Sequence, residues 1–165
     1  MIAGFDRYYQ IARCLRDEDL RADRQPEHTQ VDVEMSFVDR EDVMKTIEEL
    51  VLYAMEKLGK KINEKPFPVI TYKDALKKYG ADKFDLRSEE EKKDGTLAFA
   101  WVVDFPVFSA EGGSASGGEK TKLTYSHNPF TAPRVEDVEK LMAGKDFEDL
   151  ISLQYDLVCN GFEVG

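Results

Sequence analysis

The residues best equipped for chemistry crowd into one short stretch, RCLRDEDLRADRQPEHTQVDVE, from Arg13 to Glu34. Two strand-like runs, Tyr8 to Leu15 and His28 to Phe37, flank a loop holding Arg16, Asp17, Glu18, Asp19, Arg21, Asp23, Arg24 and Gln25. A simple hairpin has no need of so many charges. Arg16 can form a bidentate pair with a phosphate or carboxylate, and an adjacent carboxylate can hold the guanidinium or take part in binding Mg2+. The pattern therefore suits a substrate that carries phosphates. The second run alternates with period two, which puts His28, Gln30, Asp32, Glu34 and Ser36 on one face and Thr29, Val31, Val33, Met35 and Phe37 on the other. The expectation is that the apolar row packs, while Gln30 and Asp32 point with His28 into one polar pocket.

Further polar residues stand far along the chain. His127 and Asn128 precede a proline, and Asp156 and Glu163 lie on and just past a final apolar run, Leu153 to Cys159. Taken alone, a His before Asn-Pro is usually a turn residue, and an acidic pair on a strand is as often a solvated edge.

The elements that must position these groups read as follows. Asp39 to Leu58 is an amphipathic helix with Val43, Ile47, Leu50, Val51, Ala54 and Leu58 inward, capped by Asp39 and ended by Gly59. Pro66 to Thr71 reads as a strand, and TYKDALKKYG as a second helix capped by Thr71 and stopped by Gly80. SEEEKKDGT, Ser88 to Thr96, has no apolar periodicity and reads as an exposed loop. Leu97 to Phe108 reads as one largely apolar strand of a central sheet. Ala110 to Glu119, AEGGSASGG with its flanks, reads as a flexible surface loop that lacks the strand, Lys-Ser/Thr and helix context of a phosphate-cradling loop. Lys122 to Ser126 leads into HNPFTAP, Arg134 to Gly144 is a helix with Val135, Val138, Leu141 and Met142 inward, and no internal repeats occur.

Composition bounds the class. The chain has 165 residues, 42% of them hydrophobic and 11% aromatic, enough for one domain with its own core. No run approaches the roughly 18 uninterrupted apolar residues of a membrane-spanning helix, and MIAGFDRYYQ lacks the basic-then-apolar pattern of a signal segment, so the expected place is the cytoplasm, without membrane contact. Cys14 and Cys159, the two cysteines, fall in separate apolar strand-like runs and read as free buried thiols. A formal charge of -10 argues against a general grip on nucleic acid, although a local contact surface remains open.

The stretch FDRYYQIARCLRDEDLRADRQPE followed by TQVDVE closely resembles motif 2 of the class II aminoacyl-tRNA synthetases, in the form found in bacterial aspartyl enzymes. KYGADKFDLR, WVVDFPVF, HNPFTAP and YDLVCNGFEVG follow in that family's order, so the resemblance covers essentially the whole chain. It implies an α/β fold of the α+β type: a mostly antiparallel sheet flanked by helices, spanning motif 2 to just before motif 3 of the catalytic core. The family's motif 1, its N-terminal anticodon-reading domain and its motif 3 arginine have no counterpart here, so the chain reads as a catalytic-domain fragment, inactive in isolation and a poor tRNA binder. Bacterial members usually carry an insertion domain between the DLR and WVVDFP blocks, where this chain has only Ser88 to Ala100.

The implied activity of the parent is ATP-dependent activation of aspartate to aspartyl-adenylate, then transfer to the 3' end of tRNA. By resemblance, Arg16 contacts the ATP α-phosphate and the aspartate carboxylate. Asp17, Glu18 and Gln25 belong to the ATP site, and His28 stands where a Phe commonly stacks on adenine, a role its flat ring can keep. Gln30 lies near the aspartate α-amino group and Asp32 in the network orienting the side-chain-binding cations. His127 belongs to the aspartate pocket together with Asn128, which replaces the second His of a common His-His pair. Asp156 and Glu163 match the carboxylates that hold Mg2+ on the ATP phosphates, Glu163 being part of the ATP site as well. Partners implied are ATP, aspartate, the tRNA acceptor end reached through the loop around Arg21 and Arg24, and a second copy in a homodimer. Two alternatives remain: a related class II enzyme, either an asparaginyl-type or non-discriminating synthetase or an amide-forming relative, and a non-catalytic binding module that keeps the fold.

Overall fold

A computed structural model describes residues 1–17, 20, 24–110 and 123–165, divided into two compact units, Met1–Ala54 and Met55–Gly165. The expected Ala110 to Glu119 loop therefore lies outside the described residues beyond position 110.

In the first unit, β1 (Arg7–Leu15) and β2 (Glu27–Met35) form an antiparallel hairpin in which Gln10 faces Asp32, Ala12 faces Gln30 and Cys14 faces His28. The period-two alternation is as expected, but the covered face is the other one. His28, Gln30 and Asp32 are half-buried, as are Ala12 and Cys14 opposite them. On the apolar row, Thr29 is exposed and Val31 is 55% exposed, leaving only Val33 and Met35 half-covered. Phe37 is fully exposed and lies beyond the strand, its backbone in the left-handed region at φ 58°. Alternation fixes which side chains share a face, not which face meets other atoms. The helix α1 (Arg40–Lys57) follows, carrying the boundary between the units in its last turn. Asp42 accepts the Asp39 backbone N–H at 3.1 Å, the return half of a capping box that makes Asp39 the cap. Leu50 and Leu58, expected inward, are 44% and 65% exposed, and Met44 is the buried residue of this helix.

The second unit is built on a four-stranded sheet in the order β3 (Val69–Thr71), β4 (Phe99–Val103), β7 (Tyr155–Cys159), β8 (Phe162–Glu163). The β3–β4 pair is parallel and the other two pairs are antiparallel. Every residue of β4 is buried, as a central strand covered on both faces requires. Ala100, Val102 and Val158 on one face pack with Phe84, Phe105 and Ala75 of α2 (Tyr72–Tyr79). Helix α2 has the expected ends: the Thr71 hydroxyl accepts the Asp74 N–H at 3.1 Å, and Gly80 closes it at φ 76°, a conformation that costs a side-chain-bearing residue.

Four expectations are corrected here. Ser88 to Thr96 is not a loop throughout: α3 (Glu89–Asp94) is closed by a complete Ser88/Glu91 capping box and by Gly95, and Thr96 is buried. It lacks an apolar face because it buries none, and caps rather than packing define it. Second, Leu97 to Phe108 is not one strand. It breaks at Asp104, whose φ of 62° is a conformation Asp tolerates better than most residues, and β5 (Phe108–Ala110) pairs instead with β6 (Leu123–Tyr125). Third, Pro66 to Thr71 is extended as a strand only over β3, three residues. Last, Arg134 to Gly144 splits into a 3-10 turn (Val135–Asp137) and α4 (Val138–Ala143), with Val135 and Met142 each 82% exposed. The residue this segment buries is Asp137, 4% exposed, because Lys140 Nζ and the Ile151 N–H donate to its carboxylate at 2.8 and 3.1 Å. Cys14 and Cys159 are free thiols, half-buried rather than fully buried. The result is a mixed α/β fold with mainly antiparallel pairing. Among the described residues no helix is long and apolar enough to cross a membrane.

Candidate functional site

The hairpin of the first unit carries one set of candidate residues. The Arg16 N–H donates to the Pro26 carbonyl at 2.8 Å, extending the β1–β2 ladder one step and fixing the backbone from which the guanidinium projects. Arg16, Asp17, Arg24 and Gln25 are exposed at this end. Glu18 and Arg21 lie outside the described residues. Along the half-buried face, Gln10 Nε2 donates to Asp32 Oδ2 at 3.0 Å, and Cys14 Sγ donates to Gln30 Oε1. Gln30 and Asp32 are thus each anchored from β1, which narrows their rotamers. On the opposite face, Arg13 Nε donates to Glu27 Oε1 at 2.7 Å, so that arginine is engaged away from the polar row.

The second unit carries the other set. His127 and Asn128 follow β6 and line a small cavity with Ser152 and Gln154. The His127 ring stands edge-on to the buried Phe105, centroids 4.9 Å apart, and this partial burial holds its pKa below the ordinary histidine value despite the opposing charges of Glu163 and Asp82. A neutral imidazole able to accept or donate is the consequence near neutral pH.

Asp156 faces Val102 across β4–β7, and Glu163 faces Val158 across β7–β8, so both carboxylates lie on the same sheet face, diagonal to one another. Asp156 is 9% exposed, and burial pushes its carboxyl up to about 6, with Glu163 and Asp82 adding to the rise and the Gln154 hydrogen bond opposing it. Gln154 Nε2 reaches Asp156 Oδ1 at 3.1 Å. Glu163 Oε2 lies 3.0 Å from Lys83 Nζ. The turn that places Glu163 runs through Asn160 and Gly161, at φ 54° and 90°. A Cβ at Gly161 would stand 3.8 Å from Asp85 Cβ, so the DLR block lies directly under this turn. Asp85 is itself clamped by Arg87 Nε and Nη2 at 3.0 and 2.8 Å, which holds its carboxyl below the usual carboxylate range.

The candidates thus form two groups: Arg16, Asp17, Gln25, His28, Gln30 and Asp32 in the first unit, and His127, Asn128, Asp156 and Glu163 in the second. Three residues that face the second group escaped the sequence reading: Asp82, Lys83 and Gln154. Gln154 shares strand parity with Asp156, which was a usable signal. Asp82 and Lys83 sit inside the KYGADKFDLR block but precede the strands they face by some distance in sequence, so no spacing rule links them to Glu163. Among the described residues, no three His, Cys, Asp or Glu side chains gather as a closed metal site.

Known proteins bear on what this arrangement belongs to. A family model described as tRNA synthetases class II (D, K and N) matches residues 1–165. The Aspartate-tRNA ligase of Staphylococcus haemolyticus is 53% identical over 108 residues, 66% of this chain and 18% of that protein. The Aspartate-tRNA(Asp/Asn) ligase of Desulfatibacillum aliphaticivorans is 52% identical over 110 residues, 67% of this chain and again 18% of the relative. The chain therefore spans under a fifth of the length of these curated relatives. Among solved structures, Entamoeba histolytica asparaginyl-tRNA synthetase in complex with asparaginyl-adenylate is similar over 97% of this chain and 48% of its own, with 19% identity and a TM-score of 0.45. With the family model spanning it from first residue to last, the chain belongs to the class II tRNA synthetases of the D, K and N group.

Proposed function

We propose that this chain supplies the adenylate-forming part of an aspartate-tRNA ligase, as part of a class II catalytic domain. The observation that carries the reading is the hairpin: Gln30 and Asp32 share its half-buried face with His28, each anchored from β1, beside an Arg16 held at the strand end and open to solvent. In the step proposed, an aspartate carboxylate oxygen attacks the α-phosphorus of ATP, the bond to the β-phosphate oxygen breaks, and pyrophosphate leaves with its electron pair. Arg16 holds the attacking carboxylate and the α-phosphate together and stabilises the charge that grows on the phosphoryl oxygens. Asp17, Glu18 and Gln25 complete the ATP site, His28 stacks on the adenine, and Gln30 and Asp32 receive the amino acid. In the second step a hydroxyl of the tRNA terminal ribose attacks the adenylate carbonyl, its proton passes to the phosphate of the departing AMP, and the acyl–oxygen bond to AMP breaks, with Arg21 and Arg24 on the acceptor end. The parent acts as a cytoplasmic homodimer.

Asp156 and Glu163 fit a divalent cation in donor type: two oxygen ligands, with phosphate oxygens and water left to fill the remaining positions, as Mg2+ prefers. When bound, Mg2+ would neutralise phosphate charge. The Gln154 hydrogen bond to one oxygen of Asp156 fixes the orientation of that carboxylate.

A second reading is favoured by one residue. Asn128 stands beside His127 in the cavity, and it presents an amide where a second imidazole would carry a possible positive charge. The loss of that charge fits altered discrimination between aspartate and asparagine, and the Desulfatibacillum relative is named an Aspartate-tRNA(Asp/Asn) ligase.

Binding of a non-hydrolysable aspartyl-adenylate analogue to the protein tests the reading. A thermal-shift titration is expected to raise the melting temperature saturably, and an asparaginyl or lysyl analogue at the same concentration is expected to do so less. No shift with the aspartyl analogue at any concentration would argue for a binding module of another kind.

A further inference from the structure

The two carboxylates of the second unit are held by different kinds of donor. Asp156, buried, accepts a neutral amide from Gln154 at 3.1 Å, whereas Glu163, half-exposed, faces an ammonium, Lys83 Nζ, at 3.0 Å. The Lys83 side chain is 28% exposed, so its charge sits mostly within the protein, beside Asp82 of the preceding position. Asp82 and Glu163 both act on Asp156 with the same sign of charge, and Lys83 acts on it with the opposite sign. Among the described residues, the charges that act on Asp156 are the carboxylates of Glu163 and Asp82 and the ammonium of Lys83, so its surroundings are net negative, as a cation site requires.

We propose that Lys83 is a positioning residue serving as the resident counter-ion of the site: its ammonium holds Glu163 while no divalent cation is present and competes with a cation for that carboxylate. The inference rests on the reading of Asp156 and Glu163 as cation ligands. Lysine suits the task because its ammonium is a compact charge on a flexible stem, able to withdraw without dismantling a planar bidentate contact. Glu163 suits it because an ion pair half open to water is weakly held and readily exchanged. Asp156 does not share this freedom, being buried and tied to its own strand through Gln154. The pair is thus asymmetric, with one carboxylate fixed and one exchangeable.

Titration of Mn2+ alone into the full chain, followed by the electron paramagnetic resonance signal of the free ion, reads the competition without any turnover. Lys83→Gln is expected to tighten Mn2+ binding roughly three- to tenfold, since a competing charge is removed, and Lys83→Arg to weaken it below the starting affinity, since a bidentate guanidinium releases Glu163 less readily. Glu163→Gln is expected to weaken binding roughly tenfold or more, and the double variant to show less tightening from the lysine change than the parent does, because the ion pair through which Lys83 competes is gone and only its charge on Asp156 remains. Circular dichroism of each variant separates these effects from loss of folding. If Glu163→Gln weakens binding while Lys83→Gln leaves it unchanged or weaker, Lys83 is not a competitor and this inference falls while the cation reading stands. If Glu163→Gln leaves Mn2+ binding untouched, the ions sit elsewhere and the cation reading itself falls.

Discussion

Replacing Arg16 by alanine in the full protein is expected to slow aspartyl-adenylate formation by about a hundredfold or more, the usual cost of removing one preorganised charge from a transition state. Its backbone is already fixed, because the Arg16 N–H is bonded to Pro26 and continues the hairpin ladder. The hairpin itself should survive the change, since the Arg16 side chain is exposed and its backbone bond does not depend on the side chain. Arg16→Lys is expected to recover only part of the rate, because an ammonium cannot bridge a carboxylate and a phosphate through a planar fork. Pyrophosphate exchange reads both variants, and an unchanged rate in Arg16→Ala would remove this residue from the site.

The second large effect concerns stability. In the folded chain the Asp156 carboxyl titrates near 6, whereas its ordinary value is 3.8, and the first cause is burial. Between those two values the folded chain holds a proton that the unfolded chain has released, so stability falls as pH rises through that window and the full penalty is present above about 6. The shift corresponds to about 3 kcal/mol as an upper figure. Asp156→Asn keeps an oxygen for Gln154 Nε2 but carries no charge. The variant is expected to be more stable than the parent at pH 7 by about 2 kcal/mol and to lose that advantage below roughly pH 4, as the aspartate becomes protonated in both states. Urea melts across pH check this; a variant less stable at pH 7, or one whose advantage grows in acid, would contradict it. A carboxylate kept at such a cost in a sheet core is a functional candidate, because packing alone would favour a neutral residue there.

The contrast between legible and illegible features follows a physical line. Local rules sufficed where one element carries its own signals. Thr71 and Gly80 mark α2 at both ends, and the alternation of β2 puts Gln30 and Asp32 on one face with His28. Asp156 and Glu163 are paired by the family resemblance rather than by spacing, and they share a sheet face. Rules of that kind failed where the outcome depends on distant atoms. Nothing in β2 says that its polar row is the half-buried one while Val31 stays open. Val135 and Met142 have helical spacing, yet they are exposed, because the buried group is Asp137, bonded to Ile151 from another part of the chain. The Lys83–Glu163 contact joins residues far apart in sequence and is invisible to any spacing rule. The Ser88/Glu91 capping box is different: its Ser-x-x-Glu signature is local and legible, although the segment has no apolar periodicity.

Amino-acid-dependent ATP–pyrophosphate exchange by the full protein, run with aspartate, asparagine and lysine in parallel, tests the central claim most directly, since these are the three amino acids of the D, K and N group. Exchange is predicted with aspartate well above either of the others, and its loss in Arg16→Ala. Exchange driven by asparagine or lysine in preference to aspartate would contradict the assignment of Gln30 and Asp32 to an aspartate pocket, and no exchange with any of the three would contradict adenylate formation itself.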